Sequence, residues 1–258
     1  MTPPGGNRFE DFFADDAYVA LKNYLYNYLL RRQAVRKCLR AEVGELILEV
    51  GSGLSPMTEA SDGIVYSELS VPALRSLKRM HKRGRFVAAD AAHLPFPAGS
   101  FFQVICSEVL EHLPEDRQAL REIASVLKPG GSLILTFPHR CSYFGSDDRF
   151  VNHLRRYELS EMVANLEEAG LKTVEIQKVL GPLEKITMLS VISLIPLFNR
   201  FRRGARDDKR GQPTAASGFL VTLFSWLNRL YCVPVWLDAR FAPRCLASVL
   251  LIRAVRQP

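Results

Sequence analysis

Residues 47–53, Ile-Leu-Glu-Val-Gly-Ser-Gly, limit the possible folds more than any other stretch. Ile47, Leu48 and Val50 suit a strand buried on both faces, as in a parallel sheet. Gly51 and Gly53 let the backbone turn sharply and approach a bound molecule with no Cβ in the way. Glycine turns also follow strands where nothing binds. A strand running into such a turn is nevertheless how α/β sheets build nucleotide-like sites at their carboxyl edge.

Strands and helices alternate after that turn. Strands are expected at Leu46–Val50, Ile64–Ser67, Arg85–Ala89, Val104–Ser107, Ser132–Phe137 and Thr173–Val179, with a last one at Ala247–Val255. Helices are expected at Pro72–His81, Pro114–Leu127 and Leu159–Ala169, and Pro129-Gly130-Gly131 is expected to turn the chain into the fifth strand. This alternation predicts an α/β, doubly wound, mainly parallel seven-stranded sheet with helices on both faces. Ahead of it, Asp15 or Asp16 suits the cap of a helix running to about Arg40. Its tyrosines Tyr24, Tyr26 and Tyr28 are expected to pack rather than bind, and a helix of this kind could also close over a site. The expected organisation is an N-terminal helical extension (1–43), a core (44–180), a helical insertion (181–245) and a last core strand (246–258).

The insertion differs in character from the core. Ile186–Phe198 and Phe219–Leu237 are apolar and flank a basic stretch, Arg200–Arg210, with six basic residues against two acids. Neither reads as a membrane span: the first is too short, and the second carries Asn228 and Arg229 in its middle. Trp226, Tyr231 and Trp236 are residue types enriched at lipid interfaces. Residues 186–237 therefore suggest peripheral contact with an anionic membrane or enclosure of an apolar substrate. A helical subdomain with its own core is the competing explanation.

Net charge is +7, and the five cysteines are scattered without metal-site spacing. An odd, dispersed set argues against a disulfide framework, and no metal-ligating set is expected. Residues 1–13 carry two acids and no apolar core region, so no secretory signal is expected. The expected location is cytoplasmic, with possible attachment to the inner face of the membrane.

Four successive strand ends carry Glu49, Glu68, Asp90 and Glu108. Acids there repel a pyrophosphate. They suit a ligand with ribose hydroxyls, an exocyclic amine and positive charge, and S-adenosylmethionine is such a ligand.

Five segments together resemble the class I S-adenosylmethionine-dependent methyltransferases of the small-molecule, type 11 branch. They are Ile47–Gly53, the strand end at Glu68, Asp90-Ala-Ala-His-Leu-Pro-Phe-Pro, Ser100–Leu113 and Arg121–Gly131. The resemblance covers about residues 44–179 and the last strand. It implies S-adenosylmethionine as cofactor, with Gly51, Ser52 and Gly53 forming the turn under its methionine part and ribose. It further implies Glu49 at the amino group through the turn, Glu68 with Leu69 at the ribose, Asp90 and Ala91 at the adenine, and Ser107 and Glu108 near the methyl group. The last two strands are expected to form an antiparallel hairpin with the insertion between them. Two departures stand out: Ser55-Pro56 replaces a third glycine, and Leu54–Gly63 leaves little room for a helix.

Methyl transfer needs the acceptor held on the methyl axis, and a hydroxyl acceptor also needs a base. His139, after the fifth strand, and His153, in Asn-His-Leu-Arg-Arg-Tyr, are the candidate catalytic residues. His112, in Glu-His-Leu, is expected to shape the pocket. Arg140, Arg155 and Arg156 are candidates for an anionic acceptor group. The expected function is methylation, on oxygen or carbon, of a small or lipid-linked acceptor. A non-catalytic S-adenosylmethionine-binding module is the alternative. A nucleic-acid methyltransferase is disfavoured, and no nucleic-acid partner expected, because strand four ends Cys106-Ser107-Glu108-Val109 without an Asn/Asp-Pro-Pro signature. A nicotinamide dehydrogenase is disfavoured by the acids where its phosphates would lie.

Overall fold

The structure, a computed structural model, describes residues 23–40, 44–191 and 215–257. The expected helix start at Asp15 or Asp16, the basic stretch Arg200–Arg210 and the end of Ile186–Phe198 lie outside them.

Seven strands form one sheet: β1 (Ile47–Val50), β2 (Ile64–Glu68), β3 (Arg85–Ala88), β4 (Phe101–Ser107), β5 (Leu127–Pro138), β6 (Leu171–Leu180) and β7 (Val249–Arg256). Their order is β3-β2-β1-β4-β5-β7-β6, with β1 to β5 parallel and β7 antiparallel to both neighbours. The expected terminal hairpin is present, and the insertion joins its two strands. Val50 pairs with Ser67 and Cys106, Glu68 with Ala88, and Ser107 with Thr136, so the carboxyl ends line one edge.

β5 begins five residues earlier than expected. Pro129-Gly130-Gly131 does not precede the strand but bulges within it: Phe101 pairs with Leu127, and the register resumes at Gln103–Ser132. A positive φ at Gly130 (+77°) accommodates the extra residues.

Each face of the sheet has its own helical cover. On one, α3 (Asp116–Val126) and α5 (Leu159–Glu168) bury Leu120, Ile123, Met162 and Leu166 against Leu48, Val104, Leu133 and Ile252. On the other, α1 (Tyr26–Cys38) and the long α6 (Ala215–Phe241) bury Tyr28, Leu30, Val35 and Val235 against Ile105, Ile134 and Leu251. Each such aliphatic side chain removed from water is worth about 1.5–3 kcal/mol. Near the sheet edge, α2 (Val71–Met80) is capped by Ser70 Oγ and sends Leu77 against Tyr66. A short α4 (Ser146–Phe150) follows β5.

α1 and α6 form one layer. Asn228, in the middle of α6, accepts from Tyr26 N (3.2 Å), and Tyr231 meets Tyr26 edge-on at 5.0 Å. Asp238 accepts from Leu183 N (2.9 Å), tying α6 to the first helical residues of the insertion. With one side of α6 so occupied, Leu223, Trp226, Leu227, Leu230, Val233, Leu237 and Phe241 project outward, Trp226 at 59% and Phe241 at 78% exposure. No helix among the described residues is long and apolar enough to cross a membrane.

Candidate active site

Gly51 and Gly53 have positive φ, +65° and +55°, and close the turn after β1. A Cβ on Gly51 would stand 2.5 Å from Val109 Cγ2, so the turn tolerates no side chain there. Residues 53–63 form turns and bends in place of a helix. Two acids hold this segment. Glu68 accepts from Gly53 N and from Ser70 N, both at 2.9 Å. Glu49, fully enclosed, accepts from Met57 N (2.6 Å), Thr58 N (3.2 Å) and Thr58 Oγ1 (2.6 Å). Burial pushes the Glu49 carboxyl up, and these bonds oppose that shift. Its oxygens thus serve the loop, and any contribution to a ligand runs through the turn.

The other residues expected at the cofactor occupy the same edge. Ser52 and Ser55 are buried, each with an Oγ that has no hydrogen bond among the described residues. Leu69 is half-exposed beside Glu68, and Ala91 is buried. Asp90 accepts from Ala92 N (2.9 Å), and His93 Nδ1 lies 3.9 Å away. Ser107 Oγ bonds Thr136 Oγ1 (2.8 Å). Glu108 has φ +55°; one of its oxygens is 3.6 Å from Arg31 Nη1, and the other is buried without a partner among the described residues. Arg31 comes from α1, and Arg36 of α1 donates to Met57 O (3.3 Å). α1 therefore lies over both the turn and Glu108, the closing role open to it from sequence.

His139 and His153 sit in one ionic network. Asp148 accepts from His153 Nδ1 (2.9 Å), Arg156 Nε (2.7 Å), Lys185 Nζ (3.0 Å) and Gly145 N (2.9 Å). Asp147 accepts from Lys185 at 2.6 Å. Burial alone raises the Asp148 carboxyl, but its hydrogen bonds from His153 and Arg156 outweigh that and hold it well below the usual carboxylate range. Arg156 also donates to His139 O (3.2 Å) and Ser248 O (3.3 Å). His139 Nδ1 donates to Ala247 O (2.8 Å), which leaves Nε2 toward Glu158 at 3.8 Å.

The three arginines are not poised for an anionic acceptor. Arg156 is buried in the network. Arg155 donates to Asp116 (3.0 Å) and Pro114 O (3.3 Å), and Arg140 lies over Tyr143 and donates to Cys245 O (2.7 Å). Buried carboxylates and carbonyls attract guanidinium donors, and a run of basic residues does not reveal such partners.

Glu111 went unnoticed in the sequence. It lies in the 3-10 turn Leu110–His112, is 0% exposed, and neither carboxylate oxygen has a hydrogen-bond partner among the described residues. Burial and the nearby Glu108 charge push its carboxyl well up. His153 Nε2 is 3.7 Å from it, and the His112 and His153 rings meet at 4.8 Å. No metal-ligating set was expected, yet Glu111, His112 and His153 each offer a donor atom within 4.8 Å of the others. His153 lies 41 positions beyond His112, so spacing alone could not join them.

The edge suits a cation with hydroxyls better than a pyrophosphate. The Gly53 amide that a phosphate would seek is given to Glu68, and no helix N-terminus follows the turn. Among the described residues, buried oxygens without a hydrogen bond remain on Ser52, Ser55, Glu108 and Glu111. A cleft of about 710 Å³ lies elsewhere, between Arg36–Arg40, Glu45–Ile47 and Thr58–Ile64, where the loop leaves the sheet without a covering helix.

Residues 48–135 match the family described as "Methyltransferase domain". The chain is 29% identical over 171 residues to a Mycolicibacterium smegmatis protein named a probable S-adenosylmethionine-dependent methyltransferase, covering 60% of this chain and 62% of that one. It is 33% identical over 113 residues to the demethylmenaquinone methyltransferase of Paenarthrobacter aurescens, covering 42% and 45%. The chain thus spans less than two thirds of these relatives' length. Among solved structures, Haemonchus contortus phosphoethanolamine N-methyltransferase 2, in complex with S-adenosylmethionine, superposes with TM-score 0.60 at 16% identity, over 100% of this chain and 62% of that one. A Mesorhizobium loti S-adenosylmethionine-dependent methyltransferase gives 0.55 at 15% identity, over 90% and 98%. The sheet order and the glycine turn with its acids agree with that match: residues 48–135 carry a methyltransferase domain on the class I fold, and the chain is similar to S-adenosylmethionine-dependent methyltransferases.

Proposed function

We propose that the chain transfers a methyl group from S-adenosylmethionine to oxygen or carbon of a small or lipid-linked acceptor. The observation carrying this is the acid-lined edge, where Glu68 holds Gly53 N beside Asp90 and Glu108. When bound, the cofactor supplies an electrophilic methyl on a sulfonium. Glu68 keeps lone pairs for the ribose hydroxyls, Asp90 and Ala91 take the adenine side, and Ser52 and Ser107 lie toward the methionine. Glu49 acts by ordering residues 57–58. His153, held at Nδ1 by Asp148, turns its Nε2 toward Glu111, and it stands with His139 as a candidate base or orienter.

The outward apolar stripe of α6 supports a lipid-linked acceptor and attachment to an anionic membrane on the cytoplasmic side. The relatives named demethylmenaquinone methyltransferase point the same way. A non-catalytic binding module is the second reading, favoured only by the helix-free loop 53–63. Incubating the protein with labelled-methyl cofactor and a membrane lipid extract separates the two. Label should enter the organic phase, and cofactor binding with no label transferred would favour the module. The chain should also float with anionic vesicles, and Trp226→Glu with Leu230→Glu should abolish flotation without unfolding it, since both side chains are exposed. Equal flotation of both proteins, or of neither, would remove the membrane assignment.

A further inference from the structure

We propose that Glu111, His112 and His153 bind a divalent transition-metal ion. Their donor atoms lie within 4.8 Å of one another. A tetrahedral ion with bonds of about 2.1 Å separates its ligands by roughly 3.4 Å, so the set needs to close by little more than an ångström.

The first independent observation is Glu111 itself. Its carboxylate is wholly buried and neither oxygen is hydrogen-bonded among the described residues. Leaving such a group unsatisfied is costly, and proteins rarely do so without a purpose. A cation resolves it directly. Glu108 brings a second buried carboxylate oxygen, unbonded among the described residues, into the neighbourhood; its other oxygen lies 3.6 Å from Arg31 Nη1. The local charge therefore favours a positive guest.

The second observation is what stands behind the imidazoles. His153 Nδ1 donates to Asp148, which fixes the tautomer and turns the Nε2 lone pair toward Glu111. A carboxylate behind a ligating histidine is the usual outer partner of a metal site, and Asp148 is itself held by Arg156 and Lys185. His112 Nδ1 is 3.2 Å from Asn152 O, and Asn152 precedes His153 at positive φ, so one turn positions both rings. Two imidazoles and one carboxylate suit Zn2+, Co2+, Mn2+ or Fe2+ rather than Ca2+. Three protein donors leave positions open to water or another oxygen ligand, as catalytic sites do and structural ones do not. A metal-bound His153 orients and does not accept a proton.

The inference does not depend on methyl transfer. The full chain, without a histidine tag, would be stripped with chelator, dialysed against Zn2+, Mn2+ or Co2+ in turn, and assayed for bound metal and for the visible absorption of ligated Co2+. About one ion per chain is expected for at least one of the three. Glu111→Gln keeps the side chain's shape; it should fold, weaken binding by about tenfold or more, and lose the metal-induced rise in melting temperature. His153→Ala should do the same and serves if Glu111→Gln fails to fold. Retention of no ion by the wild type, or binding that neither substitution weakens, would overturn the proposal.

Discussion

Replacing Arg156 with Met is expected to cost about 3–5 kcal/mol of stability and to lower the thermal midpoint by roughly 10 °C. The guanidinium is buried, bonds Asp148 and reaches the carbonyls of His139 and Ser248, so it ties α4 to β5 and to the start of β7. Met retains much of the stem's volume but no donor. Asp148 would keep His153, Lys185 and Gly145, while the two carbonyls would lose their shared partner. Removing one member of a buried ionic set strands the others, which is why the penalty exceeds the worth of the pair itself. Arg155→Met is the control: that side chain is more than a third exposed, and its loss should cost about 1 kcal/mol or less. Calorimetric unfolding of the three proteins decides this. Equal midpoints for Arg155→Met and Arg156→Met would mean that the network does not carry the stability assigned to it.

Glu68→Gln is expected to weaken S-adenosylmethionine binding by about 10–150-fold while the chain stays folded. The carboxylate has two tasks. It accepts from Gly53 N and Ser70 N, fixing the glycine turn against the end of β2, and it keeps further lone pairs facing the edge. A carboxamide has one accepting oxygen, so either the turn or the loop to α2 loses its anchor, and the negative charge is lost as well. Titration calorimetry with the cofactor or its demethylated product reads the loss, and circular dichroism confirms the fold. An affinity within threefold of wild type would place the ribose elsewhere.

The sheet was readable because its strands are short, apolar and bounded by glycine, proline and acidic residues, and because helices separate β2 from β3, β4 from β5 and β5 from β6. The hairpin of β6 and β7 followed from the family resemblance. The start of β5 was misplaced because Pro129-Gly130-Gly131 signals a turn locally, while pairing with Phe101 draws the segment into the sheet as a bulge. That Glu68 and Asp90 share one edge was legible because the ends of parallel strands must converge. Glu49 lay on a strand end too, but only three-dimensional contact reveals that its oxygens are taken by residues 57–58. Arg31, Asp148 and Glu111 escaped for the same reason: their meaning comes from partners distant in sequence, across α1, α4 and the turn before α3. Asn228, which looked like an interruption of an apolar helix, is the residue that fastens α6 to Tyr26.

The central claim is that this acidic edge receives a sulfonium nucleoside and not a pyrophosphate. Titration calorimetry of the full chain against S-adenosylmethionine and, separately, against NAD tests it most directly. Saturable binding of the first with no heat from the second is the predicted result; binding of the dinucleotide alone would contradict it.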